Sequence, residues 1–178
     1  MECTVTIDGK AIALKATGGT LIRYKEQFEE EYYDDVLKIS AIKKNQSADL
    51  AEKIMLSAET GYKLIWAMAK TADNAIPNPD EWIETFEDFP ITEILPVANE
   101  LLTKSMNSCR QGGEKSESGE QFSSENLVAC CAICGFSTDD IDNRSIGFLM
   151  NCINEYAEIK SGDSDKVRNA TQADFDNF

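Results

Sequence analysis

Residues 50–72 read LAEKIMLSAETGYKLIWAMAKTA, and this stretch decides the fold class. Leu50, Ile54, Ala58, Gly61, Ile65, Met68 and Ala72 step by four and three, which is one apolar stripe along a helix. It is the longest helical pattern in the chain. Gly61 sits inside the pattern, where it costs about 1 kcal/mol against Ala. It marks either a close helix contact or a break.

Helical signals continue on both sides. Upstream, Thr20 follows Gly18-Gly19 as an N-cap, and Leu21, Tyr24 and Phe28 recur at helical spacing. A second helix is expected from Tyr33 to Lys44. Downstream, Asn78-Pro79-Asp80-Glu81 places a capping residue before a proline at the first helical position. Trp82, Phe86 and Phe89 then share one face until Pro90 stops the helix. Thr92 caps a further helix holding Leu95, Ala98 and Leu102, with Pro96 in its first turn.

The chain opens differently. Asp8-Gly9 is a two-residue turn signal between runs of alternating character, so residues 1–15 read as a β-hairpin. Val5 would face Ile12 and Cys3 would face Leu14, giving one apolar face. A lone hairpin is marginal in water and must pack on the helices behind it.

Between Ser105 and Ser123 apolar periodicity disappears, and Gly, Ser and Glu dominate. The composition is that of a flexible linker. Beyond it, Leu127, Cys131 and Cys134 fall at helical spacing before Gly135, Thr138 caps a short acidic turn, and Ile146, Leu149, Ile153 and Tyr156 form a last stripe. The expected architecture is mainly α. A hairpin packs on a helical domain over 1–104, a linker spans 105–123, a small helical module covers 124–162 and a mobile tail covers 163–178.

Charge narrows the function classes. Seventeen Lys and Arg face 32 Asp and Glu, a net charge of -15 over 178 residues. The excess is shared, -8 before residue 105 and -7 from there on, so neither part hides a basic face. Phosphate recognition needs a basic footprint, so nucleic acid is not an expected partner. Anionic membrane surfaces are disfavoured too. The start of the chain shows no secretory signal, and no apolar run reaches the length of a membrane helix.

The chain has no histidine, which removes Ser-His-Asp and Cys-His sites within it. Six cysteines remain, with Cys130, Cys131 and Cys134 clustered and Cys152 further on. A redox CxxC wants a helix N-terminus, whereas this one closes a helix, where the dipole opposes a thiolate. A zinc site would need Cys152 as a further ligand. The expectation is buried thiols, no metal and no cofactor. Cys131 to Ile141 loosely fits a helix-turn-helix, but Asp139, Asp140 and Asp142 would repel phosphates. The acidic run Glu26 to Asp35 lacks the glycine and spacing of a calcium loop and reads as a solvated face. No constellation points to an enzyme. Trp66, Met68, Trp82, Phe86 and Phe89 read first as core, with some free to line a binding groove.

Three segments resemble the tail assembly chaperones of long-tailed bacteriophages. Thr20-Leu21-Ile22-Arg23-Tyr24-Lys25-Glu26-Gln27-Phe28, after a hairpin, is similar to their aromatic-basic first helix. Leu64-Ile65-Trp66-Ala67-Met68-Ala69-Lys70, followed by Pro79 to Phe86, resembles their central helix and the Trp-containing helix behind it. Arg168 to Phe178 looks like the ending of the longer family product. Two features depart from the pattern: Glu29-Glu30-Glu31 stands where a glycine-containing turn is expected, and the first helix of the C-terminal module is rich in cysteine.

The resemblance implies a non-enzymatic assembly role in the host bacterial cytoplasm. The family makes two products by a programmed frameshift, and Gln111 to Lys115 lies where the junction would fall. The C-terminal module of the extended product would bind the tape measure protein, and the N-terminal domain would recruit major tail protein. The chaperone would then be absent from the virion. Family members also assemble through their helices, which implies a homo-oligomer. The candidate partner-binding residues are Tyr24, Phe28, Trp66, Met68, Trp82, Phe86, Leu127, Ile146, Leu149 and Phe175. The rival reading is an acidic inhibitor that mimics DNA and blocks a nucleic-acid-binding host enzyme.

Overall fold

The computed structural model describes residues 1–44, 50–107 and 123–161, with side chains placed for 1–38, 54–107 and 123–161. Two strands and eight helices follow one another among the described residues. β1 (Glu2–Ile7) and β2 (Lys10–Lys15) form the hairpin, with Val5 opposite Ile12 and Cys3 opposite Leu14 as expected. Asp8 and Gly9 both take positive φ, 49° and 71°, the backbone a tight two-residue turn needs. Ile7 and Leu14 are fully buried.

The hairpin packs on α3 (Leu50–Ala72) and α5 (Ile91–Met106). Its turn is held from outside: Asp8 accepts from the Glu87 N–H at 3.1 Å, and the Lys10 ammonium donates to the Thr85 carbonyl.

α3 is the central element. It also contacts α1 (Gly18–Phe28) and α2 (Tyr32–Lys44). Leu64, Ile65, Trp66, Ala67, Met68 and Ala69 are all buried, so the helix is covered on every side there. Gly61 does not break it. A Cβ on Gly61 would lie 2.9 Å from Leu95 Cδ1, so the glycine marks close approach of α5. Ile54, placed on the buried stripe by periodicity, is instead 60% exposed.

Several helix starts differ from expectation by a few residues. α1 begins at Gly18, and Thr20 is its third residue rather than its cap. The Thr20 hydroxyl accepts from the Thr17 N–H at 3.2 Å and donates to the Lys15 carbonyl at 2.8 Å, stitching the helix to β2. α1 ends at Glu29, which takes the left-handed conformation with φ 58°. α4 (Pro79–Ile83) starts as expected, with Asn78 Oδ1 accepting from the Glu81 N–H at 3.0 Å. It stops at Ile83, not at Pro90, and the chain turns so that Trp82, Phe86 and Phe89 meet edge to face at 5.3–5.7 Å. In α5, Pro90 rather than Thr92 precedes the first residue, which puts Pro96 in the second turn on an exposed face.

α5 runs to Met106, two residues into the segment read as linker. Ser105 is fully buried there. Its hydroxyl donates to the Ala16 carbonyl at 2.9 Å and accepts from the Ile146 N–H at 3.2 Å. The rest of the expected linker, 108–122, the last residue of the expected helical module, 162, and the expected tail, 163–178, lie outside the described residues.

The C-terminal helices are α6 (Ser124–Ile133), α7 (Thr138–Asn143) and α8 (Ile146–Ser161). Gly135 takes φ 86° after α6, and two reversed bonds close the turn: Gly135 N–H to the Ala132 carbonyl and Phe136 N–H to the Cys131 carbonyl. Ser137, not Thr138, caps α7, exchanging bonds with Asp140. Leu127, Cys131, Ile141, Ile146 and Leu149 join the same buried cluster as the N-terminal helices. Residues 124–161 therefore share a core with the larger part. No described helix is long and apolar enough to cross a membrane.

Candidate functional site

Among the described residues, the outer face of α1 has binding geometry. Leu21 and Tyr24 turn inward, which leaves Ile22 and Glu26 as a ridge. A cleft of about 440 Å³ lies on one side of the ridge, between α1, α3 and α7. Ile22, Arg23, Gln27, Lys70 and Asp142 line it. A second cleft of about 340 Å³ lies on the other side, against α6, with Val128 and Ala129 as its apolar wall and Lys25 and Glu125 at its rim. Ile22 and Glu26 belong to both.

The charged groups around the clefts are largely engaged within the chain. Arg23 makes a two-pronged pair with Asp142, at 2.8 and 2.9 Å, and this bond holds its guanidinium pKa above the usual value. Lys70 donates to the carbonyls of Asn74 and Ile76, at 2.7 and 2.6 Å. Lys25 lies 3.9 Å from both Glu31 and Glu125. With their cations already paired, these clefts suit apolar side chains on a helical partner better than a small anionic ligand.

Exposed apolar residues lie elsewhere too. Leu37 on α2 and Ile54 and Met55 on α3 are exposed, as are Ile133 at the end of α6 and Ile159 on α8.

The residues singled out from the sequence stand mostly inside. Tyr24, Trp66, Met68, Trp82, Leu127, Ile146 and Leu149 are buried, and Phe28 and Phe86 are half-buried against the core. Phe28 meets Tyr24 at 5.2 Å and Trp66 at 5.6 Å, so these rings cover one another. These nine lie in or against the core, because large apolar side chains on a stripe gain most by burial, and Trp66 among them also lines the cleft between α1, α3 and α7. Phe175 lies outside the described residues. Ile22 and Val128, which the sequence reading did not name as candidates, line the clefts. Their signal was present, since each is an apolar residue lying off its own helix's buried stripe.

Cys130, Cys131, Cys134 and Cys152 form a thiol cluster. Cys131 is fully buried; burial first, then the neighbouring thiols of Cys134, Cys130 and Cys152, push its pKa up to about 11. Cys134 is raised for the same reasons. Among the described residues, no group of three or more Cys, Asp or Glu is placed to hold a metal ion.

No protein-family model matches the chain, and neither a curated protein nor a solved structure matches it.

Proposed function

We propose that the protein is a tail assembly chaperone of a long-tailed bacteriophage, which holds the tape measure protein and recruits major tail protein in the host cytoplasm. The observation that carries the reading is the pair of clefts astride Ile22 and Glu26 on an acidic, mainly helical body. A long helical client can lay apolar side chains into both clefts, with α1 as the ridge between them. The net charge of -15 keeps a complex with an aggregation-prone client soluble. The three resembling segments supply the identity of the client.

The test is co-expression of the full chain with a tape measure protein, reading the client's soluble fraction. Ile22→Asp and Val128→Asp place charge in the clefts; Val128 lies outside the buried cluster, whereas Ile22 packs against it, so the fold of each variant is checked by circular dichroism. Deleting 124–178 would be a poorer test, because it also removes Leu127, Ile146 and Leu149 from the shared core. Client solubility with the wild-type chain, lost in both variants, supports the reading. Solubility unchanged by both variants rejects the clefts as the client site. Salt-sensitive capture of a basic host nuclease or polymerase in place of the client favours the DNA-mimic reading.

A further inference from the structure

The hairpin has an open edge along β1. In a hairpin with a two-residue turn, the residues flanking the turn exchange both backbone bonds, and such pairs recur at every second position. Ile7 with Lys10, Val5 with Ile12 and Cys3 with Leu14 therefore make the ladder. The same pattern runs one pair further: the Ala16 N–H donates to the Met1 carbonyl at 2.9 Å, and the Met1 amino group donates to the Ala16 carbonyl at 3.4 Å. Glu2, Thr4 and Thr6 consequently aim their N–H and C=O groups away from β2. Among the described residues no backbone bond reaches those groups, and all three residues are exposed.

Folded proteins usually blunt such an edge with lysine, proline or a bulge. β2 carries Lys10 and Lys15 at its two ends, and the Lys15 carbonyl is already taken by the Thr20 hydroxyl at 2.8 Å. β1 has no lysine, no proline and an unbroken register, and Thr4, Val5, Thr6 and Ile7 are β-branched in series. α5 lies beside this strand. Burial, then Glu2, raises the pKa of the half-buried Cys3 thiol, and Lys104 and Glu100 on α5 are close enough to act on it. Val97, one turn before Glu100, is exposed, and Val5 is only half-buried.

We propose that the outer edge of β1 is an interaction surface that takes an extended segment of another protein as a third strand. The backbone sets the partner's conformation, because only an extended chain presents N–H and C=O groups at the spacing of Glu2, Thr4 and Thr6. Its apolar residues fall at alternate positions, on the side of Val5 and Val97. Glu2 on the strand and the net charge of -15 favour a basic segment and oppose a second copy of this chain. This inference stands independently of the proposed function.

The probe is a synthetic peptide of alternating Val and Thr with Lys at each end, and the readout is amide hydrogen exchange of the full chain by NMR. With free peptide at about ten times its dissociation constant, exchange at Glu2, Thr4 and Thr6 slows about tenfold, while Ala11 and Ala13 on the opposite edge are unchanged. Thr4→Pro deletes an outward donor but no ladder bond, and it weakens the peptide about tenfold.

No slowing with the peptide at millimolar concentration overturns the proposal. So does slowing at Ala11 and Ala13 instead, which places the peptide on β2. Slowing that grows with protein concentration and needs no peptide also overturns it, because a second copy then fills the edge. Should Thr4→Pro disturb the hairpin, N-methylated peptides give the second measurement. A strand offers alternate amides to its two sides, so methylating one alternate set abolishes binding and methylating the other leaves it. Equal effects of the two sets overturn the proposal.

Discussion

Tyr24 on α1 donates its hydroxyl to the Asp35 carboxylate on α2 at 2.6 Å, and both residues are buried. Lys38 reaches the other carboxylate oxygen at 2.7 Å. Burial alone would raise the Asp35 pKa, but the Lys38 and Tyr24 bonds outweigh it and hold the carboxyl below its ordinary value. Because the folded pKa lies below the unfolded one, the stabilisation is complete above about pH 4 and is lost as pH falls through the folded value. Asp35→Asn is expected to cost about 2 kcal/mol at pH 7, by the usual worth of a charged hydrogen bond. Urea unfolding at stepped pH should show the gap between the two proteins closing in acid. A gap independent of pH would mean that packing, not the carboxylate, is what the substitution disturbs.

Two glycines make opposite expectations. At Gly18 an added methyl meets Leu149, Ile141 and the Ile141 backbone carbonyl, none of which can retreat from a packed core. Gly18→Ala is expected to cost about 1–3 kcal/mol, with faster hydrogen exchange concentrated in 123–161. At Gly61 the added methyl meets only the outer carbons of Leu95, a half-buried side chain that can turn aside. Gly61→Ala gains about 1 kcal/mol of helix propensity and should leave stability equal or higher. If Gly18→Ala behaved like Gly61→Ala, the packing at Gly18 would not be tight in solution.

Glu29 occupies a backbone conformation that costs an ordinary residue about 1–2 kcal/mol, while its N–H still donates to the Lys25 carbonyl at 2.8 Å. The side chain is exposed. Glu29→Gly is therefore expected to raise stability by roughly 1 kcal/mol, after the larger entropy of a glycine in the unfolded chain is subtracted. The midpoint of urea unfolding should move up with unchanged slope. A lower midpoint would show that the carboxylate makes a stabilising contact in solution.

What could be read from the sequence follows the range of the forces involved. Local chemistry was plain: Asp8-Gly9 turns the hairpin, Asn78 caps α4, and Gly135 closes α6, because each acts within a few residues. The polarity of surfaces was not. A helical stripe tells which side is apolar, but residues on the stripe go to the core first. Tyr24 and Leu127, visible on their stripes, are buried, whereas Ile22 and Val128, each off its stripe, line the clefts, and Trp66 is both buried and at the wall of one cleft. Ser105 was hidden for another reason. A serine before a polar run resembles linker, and only the tertiary fold brings Ala16 and Ile146 to its hydroxyl, from 89 and 41 residues away.

Cys131 offers the sharpest check on the thiol cluster. The side chain is fully buried, and a pKa near 11 leaves almost no thiolate at neutral pH. Since the thiolate is the nucleophile, alkylation of Cys131 at pH 8 should run at least about 100-fold slower in the native protein than in urea, where the thiol returns to about 8.5. The pH dependence separates electrostatics from simple occlusion. Between about pH 8 and 10 the native rate should climb tenfold per unit, while the rate in urea levels off above about 9. Mass spectrometry of the labelled peptides follows both rates at once. A native rate that is slow but flat with pH would point to local opening as the limiting step. A native rate as fast as the unfolded one would mean a depressed thiol pKa, and would return the cluster to the class of redox sites.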